Sequence, residues 1–522
     1  MLSSILRVMP ENMSRVVHTL DAYLEAAGKL DGPVYHSLIA KCFDNNVTDE
    51  KSLNSWLHDL PSIGSKHLQL FDRARRTAEQ RLRQGMWIAV WKDRKPPGKN
   101  CPQALFGTGQ LNFERKWAAV FNSRKSKHMS SNEQWLAALR YWLPRLFSGN
   151  LGFAGSIGTL TYDLVTTYAL CKHLPIFLVL PFPTEELKTR KWFDLSSERA
   201  SSTVCITCHS RAVRCSKALR MTCRDRLLAF LADCHWVLDI RKGGNLHQIL
   251  QTQQAKHLRT LLISRPSSES AKNSANLELL ETHPGAAIVP DPPPHCGPAY
   301  PAGSGNATHL PISKTILSNR IVWQGFLYHY TRSCPGPWPG QSYQDYLTSL
   351  LNNEPYCEHS ALDTLSRILL EGRIRASLKL VRGEQPVVSW TAVPPLQLQK
   401  LRHWNPALIR WTFEPYGLAI RKELVHAGGA KPAIYVRQSN FGRLKPEDRF
   451  RYQRHEPPKS LWKHEKEWRL PQDFLLNGLC KEDGFIFVPD INAARLINEN
   501  TQSPLPCLVL SRVDGFSMIQ PK

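Results

Sequence analysis

The sequence predicts an α/β protein: a helical hairpin module, then a parallel sheet covered by helices on both faces, then a separate mixed α+β domain. Three observations predict it. Short apolar runs alternate with helical periodicities between residues 86 and 265, the pattern of strand–helix–strand units. Residues 224–245 pass from a charged triplet through an apolar helical pattern into a buried-strand run, then into the turn Gly243, Gly244. In open α/β sheets, ligands collect at such strand ends. Finally, 522 residues exceed what one core holds, and residues 266–316 have the Pro/Ser/Gly character of a linker between two modules.

The elements follow in order. Residues 1–85 read as helical, with helices at 52–60 and 67–84 flanking a turn at 61–66. That turn either presents backbone N–H groups to a phosphate or is an ordinary turn capped by Gly64. Strands are expected at 87–91, 117–121, 176–180, 236–240 and 260–263, and helices at 132–146, 160–172 and 226–232. Residues 317–522 form the second module, with a strand ending at Tyr330 and an amphipathic helix at 360–370. No internal repeat is visible.

Composition narrows the partners. Hydrophobic residues make up 42% and aromatics 9%, which excludes a disordered chain. No apolar run reaches the ~18 residues of a membrane helix, and the N-terminus lacks a signal-peptide core. A cytoplasmic protein is therefore expected. The net charge is +23, with basic clusters at 211–226 and 437–469. This charge favours a phosphate-bearing partner over a merely soluble basic surface. The 13 cysteines form no regular framework, so reduced thiols are expected. Cys205, Cys208 and His209 have the spacing of covalent haem attachment, or of half a zinc site completed by Cys215 and Cys223.

Candidate phosphate ligands gather in the first module. Ser123 and Arg124 follow a strand and can hold an anion by hydroxyl and guanidinium. Gly155, Ser156, Gly158 and Thr159 open a helix, where N–H groups and the positive helix end face one point. Arg224 and Arg226 add charge, and Gly243 and Gly244 form the last turn. In this order the pieces resemble the DNA-processing (Smf/DprA) family over roughly residues 55–263. That family carries P-x-x-L-F-x-x-G, a strand ending in G-S-R, a Gly-rich loop before a helix, and R-N-R leading into a strand. Here Asn122, Ser123, Arg124 stand at the second motif and Arg224, Asp225, Arg226 at the last. The resemblance implies a Rossmann-like nucleotide-binding domain whose partner is a nucleotide or single-stranded nucleic acid, with no membrane contact. Self-association into a homo-oligomer is compatible with it.

The second module carries His329, Tyr330, Thr331, a helix ending at Gly372, then Tyr416, Gly417, and finally Glu465, Lys466, Glu467, Trp468, Arg469. This order resembles poorly characterised bacterial families that include abortive-infection proteins, over roughly residues 326–475. Alternation along a strand would put Glu465, Glu467 and Arg469 on one face, as a salt-bridged edge or in a polar cleft. By analogy with ADP-ribosyltransferases, His329 would hold a ribose of NAD, Tyr416 or Tyr435 would face nicotinamide, and Glu467 would steer the reacting ribose. NAD would then be a substrate; no other cofactor is indicated. A metal-dependent nuclease would use Glu465, Lys466 and Glu467. Two functions therefore stand: a defence-like protein whose nucleotide-sensing domain controls a C-terminal effector, and a non-enzymatic single-stranded DNA-binding protein of DNA processing or recombination.

Overall fold

The computed structural model describes residues 6–91, 104–123, 133–184, 203–253, 260–265, 273–293, 315–316, 323–398 and 402–512, apart from short stretches within these spans such as 59–66 and 147–150. The chain is α/β and divides into two compact units. One comprises Met1–Lys125 and Asn132–Gly297; the other is built chiefly from Pro298–Lys522.

The first unit holds a ten-stranded sheet. Its main elements in chain order are β1 (Leu6–Val8), α1 (Glu11–Ala27), α2 (His67–Arg83), β2 (Met86–Trp91), β3 (Ala104–Thr108), β4 (Lys116–Phe121), α3 (Gln134–Leu146), β5 (Leu151–Gly155), α4 (Leu160–Cys171), β6 (Ile176–Leu180), β7 (Thr203–Thr207), α5 (Lys217–Leu231), β8 (Cys234–Val237), α6 (Asn245–Gln253), β9 (Thr260–Ser264), α7 (Asn276–Thr282) and β10 (Ala286–Val289); helices Gly32–Asp44 and Glu50–His58 lie between α1 and α2. The spatial order is β1-β2-β3-β7-β6-β5-β4-β8-β9-β10. From β7 to β10 every pairing is parallel, while β1, β2 and β3 add an antiparallel edge.

This sheet is doubly wound. Successive strands β4, β5, β6 and β7 step one way; β8, β9 and β10 then step the other way from β4. Right-handed crossovers put the connections of the two halves on opposite faces, and in such sheets the ligand crevice lies beyond the carboxyl ends at the point of reversal, here between β4 and β8. Strand β6 shows why the parallel strands read as continuous apolar runs. All five of its residues are buried, each contributing about 1.5–3 kcal/mol.

The segment expected to be linker is not one throughout. Residues 276–282 form α7 and 286–289 form β10, paired parallel to β9. Asn276 is fully buried. Its Nδ2 donates to the Leu238 and Ser264 carbonyls at 2.8 and 2.7 Å, and its Oδ1 accepts from Ile240 N–H at 3.0 Å. One side chain thus ties together the ends of β8 and β9. The N-terminal segment is not wholly helical either, since residues 6–8 pair with β2.

Helices α1 and α2 pack together over Val17, Leu20, Phe71 and Ala74. At the seam, Asp21 accepts from Arg81 at 2.8 Å and from Tyr35 at 2.5 Å. Burial, helped by Arg81, pushes His18 in the same layer down to about 4. Burial likewise pushes His235 on β8 down to about 4. A folded value below the ordinary 6.5 means that the unfolded chain binds the extra proton between those pH values. Stability is therefore full above about pH 6.5 and falls by about 3 kcal/mol per histidine by pH 4. Urea midpoints at pH 7 and pH 4.5 test this. His18→Leu is expected to flatten the acid slope, and an unchanged slope would contradict it.

The second unit is built on an eight-stranded mixed sheet. Its strands are β11 (Thr315–Ile316), β12 (Phe326–Tyr330), β13 (Val388–Thr391), β14 (Gly417–Arg421), β15 (Lys431–Pro432), β16 (Glu467–Leu470), β17 (Gly484–Val488) and β18 (Cys507–Val509), in the order β11-β18-β17-β14-β12-β13-β16-β15. Helix α8 (Ala361–Glu371) starts at Ser360, whose hydroxyl and the Asp363 carboxylate form a reciprocal capping box, and ends at Gly372, φ +61°. Alternate residues supply two apolar clusters. Leu327, Leu418 and Ile486 join Leu365 of α8, while Tyr328, Ala419, Phe485 and Phe487 form the other.

Candidate functional site

Two sites emerge, one in each unit. In the first, hydrogen bonds tie together the chain just beyond the ends of β4 and β8. Ser123 N–H donates to the Asp239 carbonyl at 3.0 Å, and Ser123 Oγ accepts from Arg241 N–H at 2.8 Å. Arg124 lies outside the described residues, as do Cys208 and the turn at 61–66. Asn122 is buried and donates to Thr161 Oγ1 at 3.1 Å.

The glycine loop after β5 is complemented from within the chain. Gly158 takes φ +96°, and its N–H donates to Asp163 Oδ1 at 2.8 Å. Thr159 caps α4 by accepting from Tyr162 N–H. Ser156 is fully buried and donates to the Val179 carbonyl at 2.6 Å. Gly155 is buried too; a Cβ there would meet the Phe153 ring at 2.4 Å. The sequence suggested free N–H groups in this loop, but Asp163 occupies that of Gly158.

Arg224 also has a different setting from the expected one. It is 3% exposed. Its guanidinium binds Asp225 Oδ1 at 2.8 and 2.9 Å and the Ile157 carbonyl at 3.3 Å, and lies 4.8 Å from the Tyr162 ring centroid. Asp225 further accepts from Tyr162 Oη at 3.0 Å and Asn245 Nδ2 at 3.4 Å. Burial pushes the Asp225 carboxyl above its usual range, opposed by Arg224 and by these hydrogen bonds. Arg224 thus clamps the glycine loop to α5 and is spoken for. Arg226 sits half-buried on the same helix.

Among the described residues, the exposed cations of this edge are Arg241 and Lys242, directly before Gly243 (φ +70°) and Gly244. Gly243 N–H donates to His247 Nδ1 at 3.1 Å, and Lys242 Nζ lies 3.2 Å from Glu278. The sequence reading passed over Arg241 and Lys242, although both stand between the strand and the turn it had singled out.

Cys205 lies buried in β7, and its thiol is pushed up to about 12 by burial. Cys215 lies just before α5, and Cys223 is buried within it. Among the described residues no three His, Cys, Asp or Glu side chains group as metal ligands. Likewise, no described helix is long and apolar enough to cross a membrane.

In the second unit, a cleft of about 540 Å³ is lined by His329, Arg332, Arg375, Ser389, Gln453, Glu465, Glu467 and Arg469, among others. Three neighbouring strands supply its floor. Register places Ser389 opposite Arg469 and Thr391 opposite Glu467, and β12 pairs with β13 on the other side. His329 Nδ1 lies 2.9 Å from the Ser389 carbonyl. A carbonyl only accepts, so Nδ1 carries the proton and Nε2 the lone pair. Burial, with the charge of Arg332, pushes this imidazole down to about 4, so it is neutral at pH 7.

Glu467 Oε1 accepts from Ser389 Oγ at 3.0 Å and from Arg469 Nε at 2.9 Å. Its backbone N–H donates to Tyr435 Oη at 2.7 Å. Arg469 is 4% exposed and donates also to the Phe450 and Tyr452 carbonyls and to Gln453 Oε1. Glu467 Oε2 has no hydrogen-bond partner among the described residues, which leaves an acceptor in the cleft.

The alternation expected of Glu465, Glu467 and Arg469 holds for the last two only. Glu465 ends a short 3₁₀ turn, and Lys466 at φ +44° breaks the strand before Glu467. Such a left-handed backbone is costly for a residue with a Cβ. Glu465 nevertheless lines the cleft. Tyr416 does not; it packs into the apolar cluster under α8, where burial pushes its hydroxyl up to about 12. Of the two tyrosines weighed for the site, Tyr435 is the one that touches Glu467.

No family model and no curated protein matches the chain. Among solved structures, DNA processing protein A (DprA) from Streptococcus pneumoniae is similar at 14% identity over 52% of this chain and 94% of that one, TM-score 0.32. DNA processing protein A from Helicobacter pylori, described for its single-stranded DNA binding mode, is similar at 16% identity over 37% of this chain and 84% of that one, TM-score 0.27. At these scores neither match bears on function, and what the two sites do must come from their own side chains.

Proposed function

We propose that the protein pairs a nucleotide- or single-stranded-nucleic-acid-binding domain with an NAD-directed effector under its control, as in a bacterial defence protein. The carrying observation is the cleft of the second unit, which brings His329, Glu465, Glu467 and Arg469 together from separate strands and a turn. Neutral His329 offers Nε2 to a ribose hydroxyl. Glu467 offers Oε2 to a second hydroxyl and places negative charge beside a ribosyl cation as it develops. In the transfer, the bond between ribose C1′ and nicotinamide breaks and nicotinamide leaves with the electron pair. A water or an acceptor nucleophile forms the new bond to C1′ and loses its proton.

The first unit supports the sensing half of the reading. Its crevice lies at the reversal of a doubly wound sheet, and exposed Arg241 and Lys242 stand on its lip. The double variant R241E/K242E is expected to weaken single-stranded DNA binding at least tenfold and to lower its salt dependence. This is measured by fluorescence anisotropy of a labelled oligonucleotide across a salt series. Wild-type binding that ignores salt would remove nucleic acid as the ligand. Incubation of the full chain with NAD, with and without the oligonucleotide, tests the effector half by release of nicotinamide. If NAD stays intact under both conditions while DNA binds, the non-enzymatic reading replaces this one, favoured by the net charge of +23.

A further inference from the structure

We infer that Arg332, with Arg375, forms a seat for the pyrophosphate of a dinucleotide in the cleft of the second unit. The inference rests on the NAD reading of that cleft and names how its charged middle would be recognised.

Most charged groups around the cleft are partnered within the chain. Arg469 is neutralised by Glu467, and its remaining N–H groups meet two carbonyls and Gln453. The carboxylate of Glu414, beside the cleft wall, is held by the Ser333 N–H and hydroxyl at 2.8 and 2.9 Å. Glu371 takes Arg367 and Arg375, each through Nε at 2.6 Å. Arg332 is different. It stands just beyond β12, and its chain is half-buried. Its Nε is buried without a hydrogen-bond partner, and no carboxylate pairs with it among the described residues. It nonetheless lines the cleft and acts on His329, whose protonation it opposes.

A guanidinium placed this way carries a desolvation penalty that nothing among the described residues offsets. Its planar fork fits a phosphate oxygen pair, and an arriving anion would supply the missing partner. Arg375 lines the same cleft, and among the described residues only its Nε is committed, to Glu371, which leaves its terminal N–H groups for the same ligand. The Arg332 backbone is fixed from behind, because Thr364 of α8 donates to its carbonyl at 3.3 Å. With His329 and Glu467 on the floor of the same cleft, the arrangement suits a ligand carrying both a pyrophosphate and a ribose. A free sugar or a neutral nucleoside would leave Arg332 unpaired.

The test is calorimetric titration of the full chain with inorganic pyrophosphate and with ADP-ribose, for wild type and Arg332→Gln. Wild type is expected to bind both, and R332Q to bind both at least tenfold more weakly. In the absence of ligand, R332Q is expected to melt no lower than wild type, since it removes an unpaired, half-buried charge. A merely structural arginine would show the opposite, a lowered melting temperature. Equal affinity of R332Q and wild type for both ligands overturns the seat and leaves the NAD reading standing. Arginine-dependent binding of pyrophosphate without binding of ADP-ribose supports the seat and removes the dinucleotide. Wild type that binds neither ligand overturns the seat.

Discussion

Asp225→Asn is expected to destabilise the first unit by about 3–5 kcal/mol, the cost of leaving a buried charge without its counter-ion. Asp225 is 6% exposed and serves three donors at once: Arg224, Tyr162 and Asn245. Asparagine preserves the shape and one acceptor oxygen but removes the charge facing Arg224, which is 3% exposed. The glycine loop after β5 hangs on the same clamp through the Ile157 carbonyl, so loosening it would reach the crevice. Urea denaturation followed by the tryptophans of the first unit measures the loss. The double variant Arg224→Met, Asp225→Asn is expected to recover most of it, because both charges then leave the interior together. The same double variant should still bind single-stranded DNA, since it leaves the exposed cations Arg241 and Lys242 in place. A single D225N variant with wild-type stability and abolished DNA binding would reverse the assignment and make Arg224 and Asp225 parts of the ligand site.

The setting of Arg224 also shows where the sequence stops being legible. Two charged neighbours at i and i+1 normally point apart on a helix. Nothing local announces that Arg224 and Asp225 turn inward together; Tyr162 and Asn245, from α4 and the start of α6, draw them in. Strand β6 was legible because five apolar residues in a row fit only a fully covered strand. Strands β5 and β7 were not. Gly152 of β5 exists to admit the Trp117 ring, which a Cβ would approach to 2.5 Å. Strand β7 carries Thr203, Cys205 and Thr207, which read as a cysteine motif instead of a strand. Strand β10 was hidden by the prolines that follow it, although Asn276 beside it fixes the ends of β8 and β9. In the cleft, His329 and Glu467 stood out as residue types in order along the chain. Ser389 and Arg332 could not, because the pairing of β12, β13 and β16 gives them their neighbours, and that register is a property of the folded sheet.

The second large effect follows from the proposed NAD chemistry: Glu467→Gln should lower the rate of nicotinamide release from NAD on the order of 10²–10³-fold. The argument turns on which of the carboxylate's two jobs the substitution removes. Oε1 accepts from Ser389 and Arg469, and a glutamine carbonyl can take over both hydrogen bonds. The Arg469 guanidinium keeps its contacts with the Phe450 and Tyr452 carbonyls and with Gln453, so the floor of the cleft should persist. The negative charge at Oε2 is lost, and charge is what a developing ribosyl cation requires. ADP-ribose binding through Arg332 should therefore fall little in E467Q while turnover falls steeply, a KM-against-kcat split that damage to the fold would not produce. His329 adds a second signature. Its imidazole is held down at about 4, so it stays neutral above pH 5 and the rate should show no inflection near pH 6.5, where an ordinary histidine titrates. Wild-type turnover by E467Q would show that Glu467 is the structural partner of Arg469 and no more. An E467Q protein that neither turns over NAD nor binds ADP-ribose would show that the ion pair itself builds the cleft, and would move the catalytic charge to Glu465.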